Sequence, residues 1–294
     1  MPVLCRRFHK LELHKPKITK KAKLILSLLY LFDFKAPVWR MALDTEGNRL
    51  ALEIRDGDVL LAHFYTLDLA HFTLTQLNTP EEPAWWLGLE DAHQGMVLLH
   101  GYGDRKLGQH KSITALDAAK NQISWQQPAK AFYGISKAGI VLYDPEQPEA
   151  GFEIAETSSG KIIQTGLAQQ QALQLVEQHT LQRFKQHITP DLYLQGEPYF
   201  EQVQAFLEQQ LGVTAIAGME YAETDHAIII SYYTSSGKET WQNNLAAWTL
   251  AGELLLQIEL ATGLSGIGSD TFFIFEGRLY FIKEKVSLHV YDLI

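Results

Sequence analysis

The sequence predicts an all-β protein: a β-propeller of five four-stranded blades, closed by its N-terminal strand, with a helical insertion between blades three and four. The first observation is a pattern of strands and turns that recurs five times. The second is its spacing, because the first strands of the first three copies start at Trp39, Trp85 and Phe132, 46 and 47 residues apart. The third is that the two chain ends hold complementary parts of one copy. A six-bladed ring remains open as the alternative.

Each copy starts with a hairpin, in which an aromatic-rich strand is followed by a polar turn and an apolar strand. Short β-branched and aromatic runs between glycine-containing turns are typical of antiparallel sheets. The hairpins are expected at 39–43 with 50–54, 85–89 with 96–99, 132–135 with 139–143, 216–219 with 227–230 and 272–275 with 278–282. The third and fourth strands are expected at 64–68 with 72–74, 113–117 with 122–125, 152–155 with 160–163 and 247–250 with 252–256.

The fifth copy has a third strand at 288–292 and then lacks a fourth. Residues 23–34 stand directly before the first copy and can supply the missing strand. If this N-terminal strand completes the last blade, the ring closes and leaves no open sheet edge. A β-sandwich gives no reason for complementary chain ends, so this relationship favours the propeller. The apolar run 24–32 within the strand is too short to span a membrane.

Residues 167–212 are predicted to be helical, which explains why 84 residues separate Phe132 from the next first strand at Ile216. Two runs in this stretch repeat at helical spacing. Pro198 near the start and Gly212 just past the end are the expected boundary residues of the second helix. The residues at helical spacing are Leu173, Val176, Thr180 and Phe184 in the first run and Phe200, Val203, Leu207 and Leu211 in the second.

One turn carries a family resemblance. The segment 116–125 contains Asp117 in a turn before a strand that ends in Trp125. It resembles the blade repeat of quinoprotein-type propellers, and the whole chain resembles an uncharacterised bacterial propeller family of unknown function. This resemblance implies a fold and no activity. It does not imply a quinone cofactor. Quinoprotein dehydrogenases have eight-bladed rings with cofactor ligands that this sequence does not match, so no cofactor is expected.

Charge is unevenly distributed along the chain. The formal net charge is −9, whereas residues 1–23 contain eight basic residues and one acidic residue, which makes them +7 and leaves −16 on the rest. We divide the chain into a basic arm (1–22) and one propeller domain (23–294). Because an acidic domain repels polyanions, nucleic acid or an anionic membrane is expected to bind only through the arm. The single cysteine, Cys5, excludes an internal disulfide, and no signal peptide or transmembrane segment is apparent, so a cytoplasmic location is expected.

Binding is expected on one face of the ring. The loops that join strand four to strand one and strand two to strand three meet there, and the insertion, being of the first kind, is expected to cover this loop face. Aromatic and hydroxyl groups in these loops suit a protein, peptide or glycan ligand. The candidate ligand-binding residues are Tyr102, Asp104, Arg105, Asp144, Tyr199, Tyr233 and Trp241.

No catalytic residue and no metal site is predicted. Two groups of acidic residues and histidine, 90–93 and 220–226, are expected in ordinary polar turns on the opposite face. Among the starts of the innermost strands only Asp270 is acidic, which argues against a glycosidase with paired carboxylates. The first hypothesis is therefore a non-enzymatic binding module. The alternative is a hydrolase or lyase that acts on a carbohydrate through the loop carboxylates Asp104 and Asp144.

Overall fold

The computed structural model describes residues 26–293 except 82, 107 and 238, without the side chain of Asp104. The predicted basic arm with Cys5, and residues 23–25 of the predicted closing strand, lie outside these described residues. The described part is formed mainly of antiparallel strands, with two α-helices. None of its helices has the length and apolar character needed to cross a membrane.

The strands form five antiparallel sheets, which we number I to V along the chain. Strand β1 (Ser27–Asp33) comes first and belongs to sheet V. Sheet I contains β2 (Val38–Asp44), β3 (Arg49–Asp56), β4 (Leu61–Asp68) and β5 (Thr73–Gln76). Sheet II contains β6 (Gly88–His93), β7 (Met96–Asp104), β8 (Gln109–Asp117) and β9 (Gln122–Gln127). Sheet III contains β10 (Ala131–Ser136), β11 (Gly139–Tyr143), β12 (Phe152–Ala155) and β13 (Ile162–Leu167).

The insertion follows sheet III and precedes sheet IV, as predicted. It contains α1 (Gln169–Arg183), β14 (His187–Ile188), β15 (Asp191–Leu194) and α2 (Pro198–Leu211). Sheet IV contains β16 (Ile216–Glu223), β17 (Ala227–Ser235), β18 (Trp241–Thr249) and β19 (Leu254–Leu264). Sheet V contains β20 (Phe272–Phe275), β21 (Arg278–Lys283) and β22 (Ser287–Asp292), which is followed across the sheet by β1.

The predicted closure by the N-terminal strand is confirmed. Strand β1 pairs antiparallel with β22, and Leu31 lies opposite His289 in this register. Strands from the two ends of the chain therefore complete one four-stranded meander. Together with the successive meanders of the other sheets, this pairing makes the fold a β-propeller, in which the first strand of each sheet lines the central channel.

Neighbouring sheets are held together by apolar side chains that interdigitate between their faces. Sheets I and II share one buried cluster, sheets II and III a second, sheets IV and V a third and sheets V and I a fourth. Representative members of these four clusters, one from each sheet, are Phe64 and Leu89, Trp125 and Ile140, Ile229 and Leu279, and Leu50 and Tyr280.

Sheets III and IV instead pack against the helices of the insertion. Ala172 of α1 is buried against Val141 and Ile154 of sheet III. On the other side, Leu207 of α2 packs with Trp248 of sheet IV in a separate cluster. The two helices therefore cover the faces of sheets III and IV that do not pack against another sheet. The insertion accounts for the long spacing between these two repeats.

The first helix also enters the channel. Val176 of α1 lies against Gly134 on the innermost strand of sheet III, so close that a Cβ at 134 would be 2.6 Å from Val176 Cγ1. Farther along, Arg183 Nη2 donates to the carbonyl oxygen of Leu43 at the far end of β2, at 2.9 Å. The chain then returns as β14 and β15, which extend the innermost edges of sheets V and IV. The insertion was expected to cover the loop face, whereas α1 and these two strands lie inside the ring.

The start of sheet II differs from the prediction. Trp85 and Trp86 were expected to open its first strand, but they lie in a short 3-10 turn, and β6 starts at Gly88. Arg55 Nη1 donates to the carbonyl oxygen of Trp85 at 2.9 Å, and Glu53 accepts a hydrogen bond from the backbone N–H of Leu89 at 2.7 Å. These contacts from sheet I hold the turn in place, so residues 90 and 91 lie within the strand and not in the turn after it.

The turn that resembles a quinoprotein repeat has a structural role here. Asp117 Oδ1 accepts hydrogen bonds from the backbone N–H groups of Ala119 and Lys120, both at 3.0 Å. Trp125 Nε1 donates to the carbonyl oxygen of Thr157 at 2.8 Å, which links sheet II to sheet III. The aspartate therefore shapes the turn between two strands, and the tryptophan joins neighbouring sheets.

Candidate ligand-binding site

A cavity of about 380 Å³ lies in the channel between the first strands of sheets I, II and V and the segment that links α1 to β14. Its polar groups come from Arg40 on β2, Glu90 and Asp91 on β6, and His187 and Thr189 in the insertion, with Asp270 just before β20. Cavities of this size that combine apolar walls with a few convergent polar groups are typical of small-molecule sites.

Beside the aliphatic residues Met41, Ala42, Leu43 and Leu50, the cavity has an aromatic wall. It is formed by Phe184, Phe272 and Phe273, with His187 between two of the rings. The ring of His187 lies 5.3 Å from that of Phe184 and 5.1 Å from that of Phe273, measured between centroids. Burial lowers the pKa of His187, and the nearby Asp270 carboxylate only partly offsets this effect. The imidazole therefore faces the cavity in its neutral form at pH 7.

Glu90 connects the cavity to a pair of histidines on the next two strands of sheet II. Its Oε1 lies 2.7 Å from Nδ1 of His110 and 3.0 Å from Nδ1 of His100. The two imidazole rings are stacked, with centroids 3.5 Å apart and planes inclined by 13°. Burial raises the pKa of Glu90, but the hydrogen bonds and charges of the two histidines outweigh it and the net shift is downward. Glu90 is thus an ionised acceptor at neutral pH.

The two histidines of this group differ in their exposure to solvent. His100 is buried beside Gly88, where a Cβ would lie 2.4 Å from its Cε1, so the close approach requires a glycine. His110 is 41% exposed in its side chain and is open to solvent. Arg40 Nη2 donates to the carbonyl oxygen of Glu90 at 2.9 Å, which places a guanidinium at the same edge of the cavity.

Two of the predicted site residues lie next to this group. The ring of Tyr102 packs edge-on against His100 and His110, at centroid distances of 5.0 and 5.6 Å. Arg105 lies over the ring of Trp86 at 4.5 Å, and Trp86 in turn contacts Tyr102. The backbone of Asp104 ends strand β7 beside them, while its side chain lies outside the described part.

The other predicted residues are distributed elsewhere. Within its own turn, Asp144 accepts a hydrogen bond from the backbone N–H of Glu146 at 3.0 Å. Its Oδ2 lies 3.9 Å from Nζ of Lys130, which precedes β10. Tyr199 packs against Tyr193 on the insertion, with ring centroids 5.5 Å apart and planes inclined by 31°.

Tyr233 and Trp241 belong to sheet IV. Tyr233 is buried, and its hydroxyl accepts a hydrogen bond from the backbone N–H of Gly268 at 2.8 Å. Trp241 packs against the edge of Tyr233 at 6.3 Å. The structure therefore groups Tyr102 and Arg105 with Glu90, and it assigns Tyr233 a packing contact.

A second group of potential ligands lies near the same, C-terminal end of α1. Glu46 in the turn after β2, His93 at the end of β6 and His179 of α1 approach one another so that one ligand atom from each lies within 4.8 Å of the others. Burial and the charge of Arg183 lower the pKa of His93, against the influence of Glu46. Burial also lowers the pKa of His179, and Glu46 again opposes the shift.

One family model matches part of the chain. Residues 43–125 match a model described as a domain of unknown function (DUF4905). The match includes 83 of the 294 residues, from the end of β2 to Trp125. It therefore contains Glu90, His100 and His110. No curated protein matches the chain.

Several solved structures are similar to the chain at low identity. The β-propeller domain of the trilobed protease from Pyrococcus furiosus is 10% identical with a TM-score of 0.30, and the match covers 83% of this chain but only 64% of that one. An oligogalacturonate lyase in complex with manganese is 12% identical with a TM-score of 0.30, over 94% and 99% of the two chains. The Dos1 propeller is 9% identical with a TM-score of 0.37, over 91% and 96%. At these values the similarity assigns no function.

Sequence reasoning missed Glu90 and Asp91 on the cavity wall because it put them in a turn. Starting the first strand of sheet II at Trp85 moved Glu90 into the turn after it, although it lies within β6. Glu220 was put in a turn because the predicted strand ended at Met219. It lies within β16, where it accepts a hydrogen bond from the backbone N–H of Thr271 at 3.0 Å. The innermost strands therefore carry carboxylates that the sequence argument against a glycosidase did not count. Predicted strands that ran on to residues 93 and 223 would have included both carboxylates.

Proposed function

We propose that this protein binds a small polyhydroxylated molecule, such as a mono- or disaccharide, in the channel cavity. The observation that carries the proposal is the combination of an aromatic wall with convergent acceptors in one cavity of about 380 Å³. Aromatic rings contact the apolar faces of a sugar, and ionised carboxylates accept hydrogen bonds from its hydroxyl groups. Glu90 and Asp270 supply the carboxylates, and Arg40 supplies donors.

This proposal keeps the predicted glycan ligand and moves the site inward from the loop face. Asp91 contributes little to recognition, because both of its carboxylate oxygens accept hydrogen bonds from Arg183. Tyr102 and Arg105 lie on the outer side of the Glu90 group and extend the site toward the loops. A larger peptide or protein partner would instead need these outer residues.

A thermal-melt screen against sugars, nucleotides and short peptides tests the proposal. A ligand present at about 100 times its Kd adds roughly 2.7 kcal/mol to stability, which raises the Tm by several degrees. We expect sugars to produce the shift and the other classes to leave the Tm unchanged. A shift with peptides alone would contradict the proposal.

Two matched variants then locate the site. Arg40→Ala removes the guanidinium beside the cavity, and Arg105→Ala removes the one on the loop. We expect the first to weaken sugar binding at least tenfold and the second to leave it within twofold. If Arg105→Ala weakened sugar binding more than Arg40→Ala did, the site would instead lie on the loop face.

The Glu90–His110 pair favours a second candidate, a hydrolase or lyase acting on the same ligand. A carboxylate 2.7 Å from Nδ1 orients an imidazole, and the partly exposed ring can then act as a general base. Turnover of the sugar found in the screen would be lost in His110→Gln while binding persists. Binding without turnover in the wild-type protein would exclude this candidate.

A further inference from the structure

The second histidine group, at the end of α1, has the composition of a metal site. Glu46, His93 and His179 come from sheet I, sheet II and the insertion, respectively. The distance from His179 Nε2 to Glu46 Oε1 is 3.9 Å. The two imidazole rings have centroids 5.3 Å apart and planes inclined by 77°. Rings that are nearly perpendicular can direct lone pairs of different nitrogen atoms toward one point.

Three of the four nitrogen atoms of these rings are buried without a hydrogen-bond partner among the described residues. His93 is 1% exposed and His179 is 6% exposed. Within the described part of the chain, no hydrogen-bond partner reaches His93 Nδ1 or either ring nitrogen of His179. Buried polar atoms in proteins are nearly always satisfied by a protein group, a water or an ion. Several unsatisfied nitrogen atoms in one cluster therefore indicate a missing ligand.

We propose that Glu46, His93 and His179 bind a divalent transition-metal ion, with Zn²⁺ as the expected ion. Two imidazoles and one carboxylate form a ligand set that such ions prefer, and a water can occupy the remaining position. Glu46 is 42% exposed in its side chain, so an ion and its water have access from solvent. Gln94 Nε2 donates to Glu46 Oε2 at 2.9 Å and orients the carboxylate.

The local charge permits a cation. Arg183 lies close to both histidines, but its guanidinium is paired with the Asp91 carboxylate. Asp44, in the same turn as Glu46, uses its carboxylate to accept backbone N–H groups of Gly47 and Gly95, both at 2.7 Å, so it adds negative charge without being a ligand.

The Glu90 group is a poorer candidate for the same ion. Its two imidazole rings are stacked in nearly parallel planes, so their lone pairs run side by side and do not converge. Glu90 Oε1 is already 2.7 Å from His110 Nδ1. An ion bound by Glu46, His93 and His179 would instead join α1 to sheets I and II, which fixes the insertion inside the ring independently of any cavity ligand.

Titration of the full-length, chelator-treated protein with Co²⁺ tests the proposal, followed by competition with Zn²⁺. Co²⁺ bound by nitrogen and oxygen ligands in a site of low coordination number gives visible absorption bands. Zn²⁺ that displaces the Co²⁺ removes these bands. We expect one equivalent of Co²⁺ to produce these bands and Zn²⁺ to raise the Tm of the wild-type protein. Glu46→Gln should weaken Co²⁺ binding at least tenfold, and His179→Gln should abolish the bands.

Because the chain contains 11 histidines, the test needs a control for metal binding elsewhere. A matched variant in the Glu90 group provides it. His110→Gln should leave the bands and the Zn²⁺-dependent increase in Tm unchanged. Because Glu46 lies in a partly exposed turn, Glu46→Gln keeps the test valid even if His179→Gln fails to fold. An unchanged affinity for Co²⁺ in Glu46→Gln, bands that disappear in His110→Gln, or bands that never form in the wild-type protein would each overturn the proposal.

Discussion

Arg183 donates to both carboxylate oxygens of Asp91, from Nη1 to Oδ2 at 2.8 Å and from Nη2 to Oδ1 at 2.7 Å. The two residues are 92 positions apart, and the pair attaches the end of α1 to the innermost strand of sheet II. Arg183 also donates to the carbonyl oxygens of Leu43 and Ala92. One side chain thus joins the insertion to sheets I and II, next to the cavity and next to the Glu46 group.

Breaking this pair is expected to destabilise the protein strongly. Asp91→Asn leaves the guanidinium of Arg183, which is only 3% exposed, without its counter-charge. Removing one partner of a buried ion pair costs about 3 to 5 kcal/mol, and because Asp91 is 23% exposed we expect a loss of about 3 kcal/mol. Urea unfolding measures it, with the exposed Asp58→Asn as a control that should be neutral. Equal stabilities for Asp91→Asn and wild type would show that the pair does not hold α1.

A substitution at the contact between Gly134 and Val176 tests whether α1 packs along sheet III. Gly134→Ala puts a Cβ about 2.6 Å from Val176 Cγ1, and because valine is stiff the helix has to shift. Overpacking of this kind costs about 1 to 3 kcal/mol. Val176→Ala in the same chain removes the obstructing methyl groups and should recover most of the loss. A double-mutant cycle from urea unfolding measures this coupling, and additive effects would contradict the described contact.

The second helix could be predicted from the sequence, whereas the buried face of the first could not. In α2 the apolar stripe Phe200, Val203 and Leu207 is buried, and Gly212 ends the helix with φ = 67°. In α1 the buried residues are Ala172, His179 and Arg183, while the expected Leu173 and Thr180 are exposed. Hydrophobic periodicity assumes an apolar buried face, and it fails for a helix whose partners in the channel are carboxylates and backbone carbonyls.

The candidate site depends on long-range contacts that a local pattern does not contain. The aromatic pair at 85–86 has strand propensity, but Glu53 and Arg55 of sheet I fix the strand start at Gly88. The repeat pattern predicted which segments form sheets and which strand closes the ring. It did not predict that Glu90 faces the channel, because that depends on register, and a shift of a few residues moves a side chain from a turn to the cavity wall.

The link between Trp125 and Thr157 tests the structural role of the quinoprotein-like turn. Trp125→Phe retains an aromatic ring but loses the Nε1 hydrogen bond to the Thr157 carbonyl oxygen, which has a length of 2.8 Å. A typical hydrogen bond contributes about 1 kcal/mol, so a loss of about 1 to 2 kcal/mol, including the smaller ring, is expected in urea unfolding. Trp39→Phe serves as the control, because Trp39 is 70% exposed, and it should be neutral. A neutral Trp125→Phe would remove the argument that this residue joins the two sheets.

His289 should make the stability of the closing sheet depend on pH. Burial lowers the pKa of His289 from its ordinary value of 6.5, and the charge of Lys283 lowers it further. The unfolded chain therefore takes up a proton near pH 6.5, while the folded protein takes it up only at lower pH. The stability contributed by this residue is fully present above pH 6.5 and is lost as the pH falls toward the folded pKa.

Replacing this histidine should reduce the acid sensitivity. In His289→Phe the ring can keep its stacking on Phe281, which lies 5.1 Å away, but it no longer titrates. We expect the free energy of unfolding, measured in urea between pH 7.5 and pH 5.5, to fall less steeply for this variant than for wild type. Part of the slope should remain, because burial also lowers the pKa of His187. The exposed His226→Phe should keep the wild-type slope, and an unchanged slope in His289→Phe would refute the role assigned to this side chain.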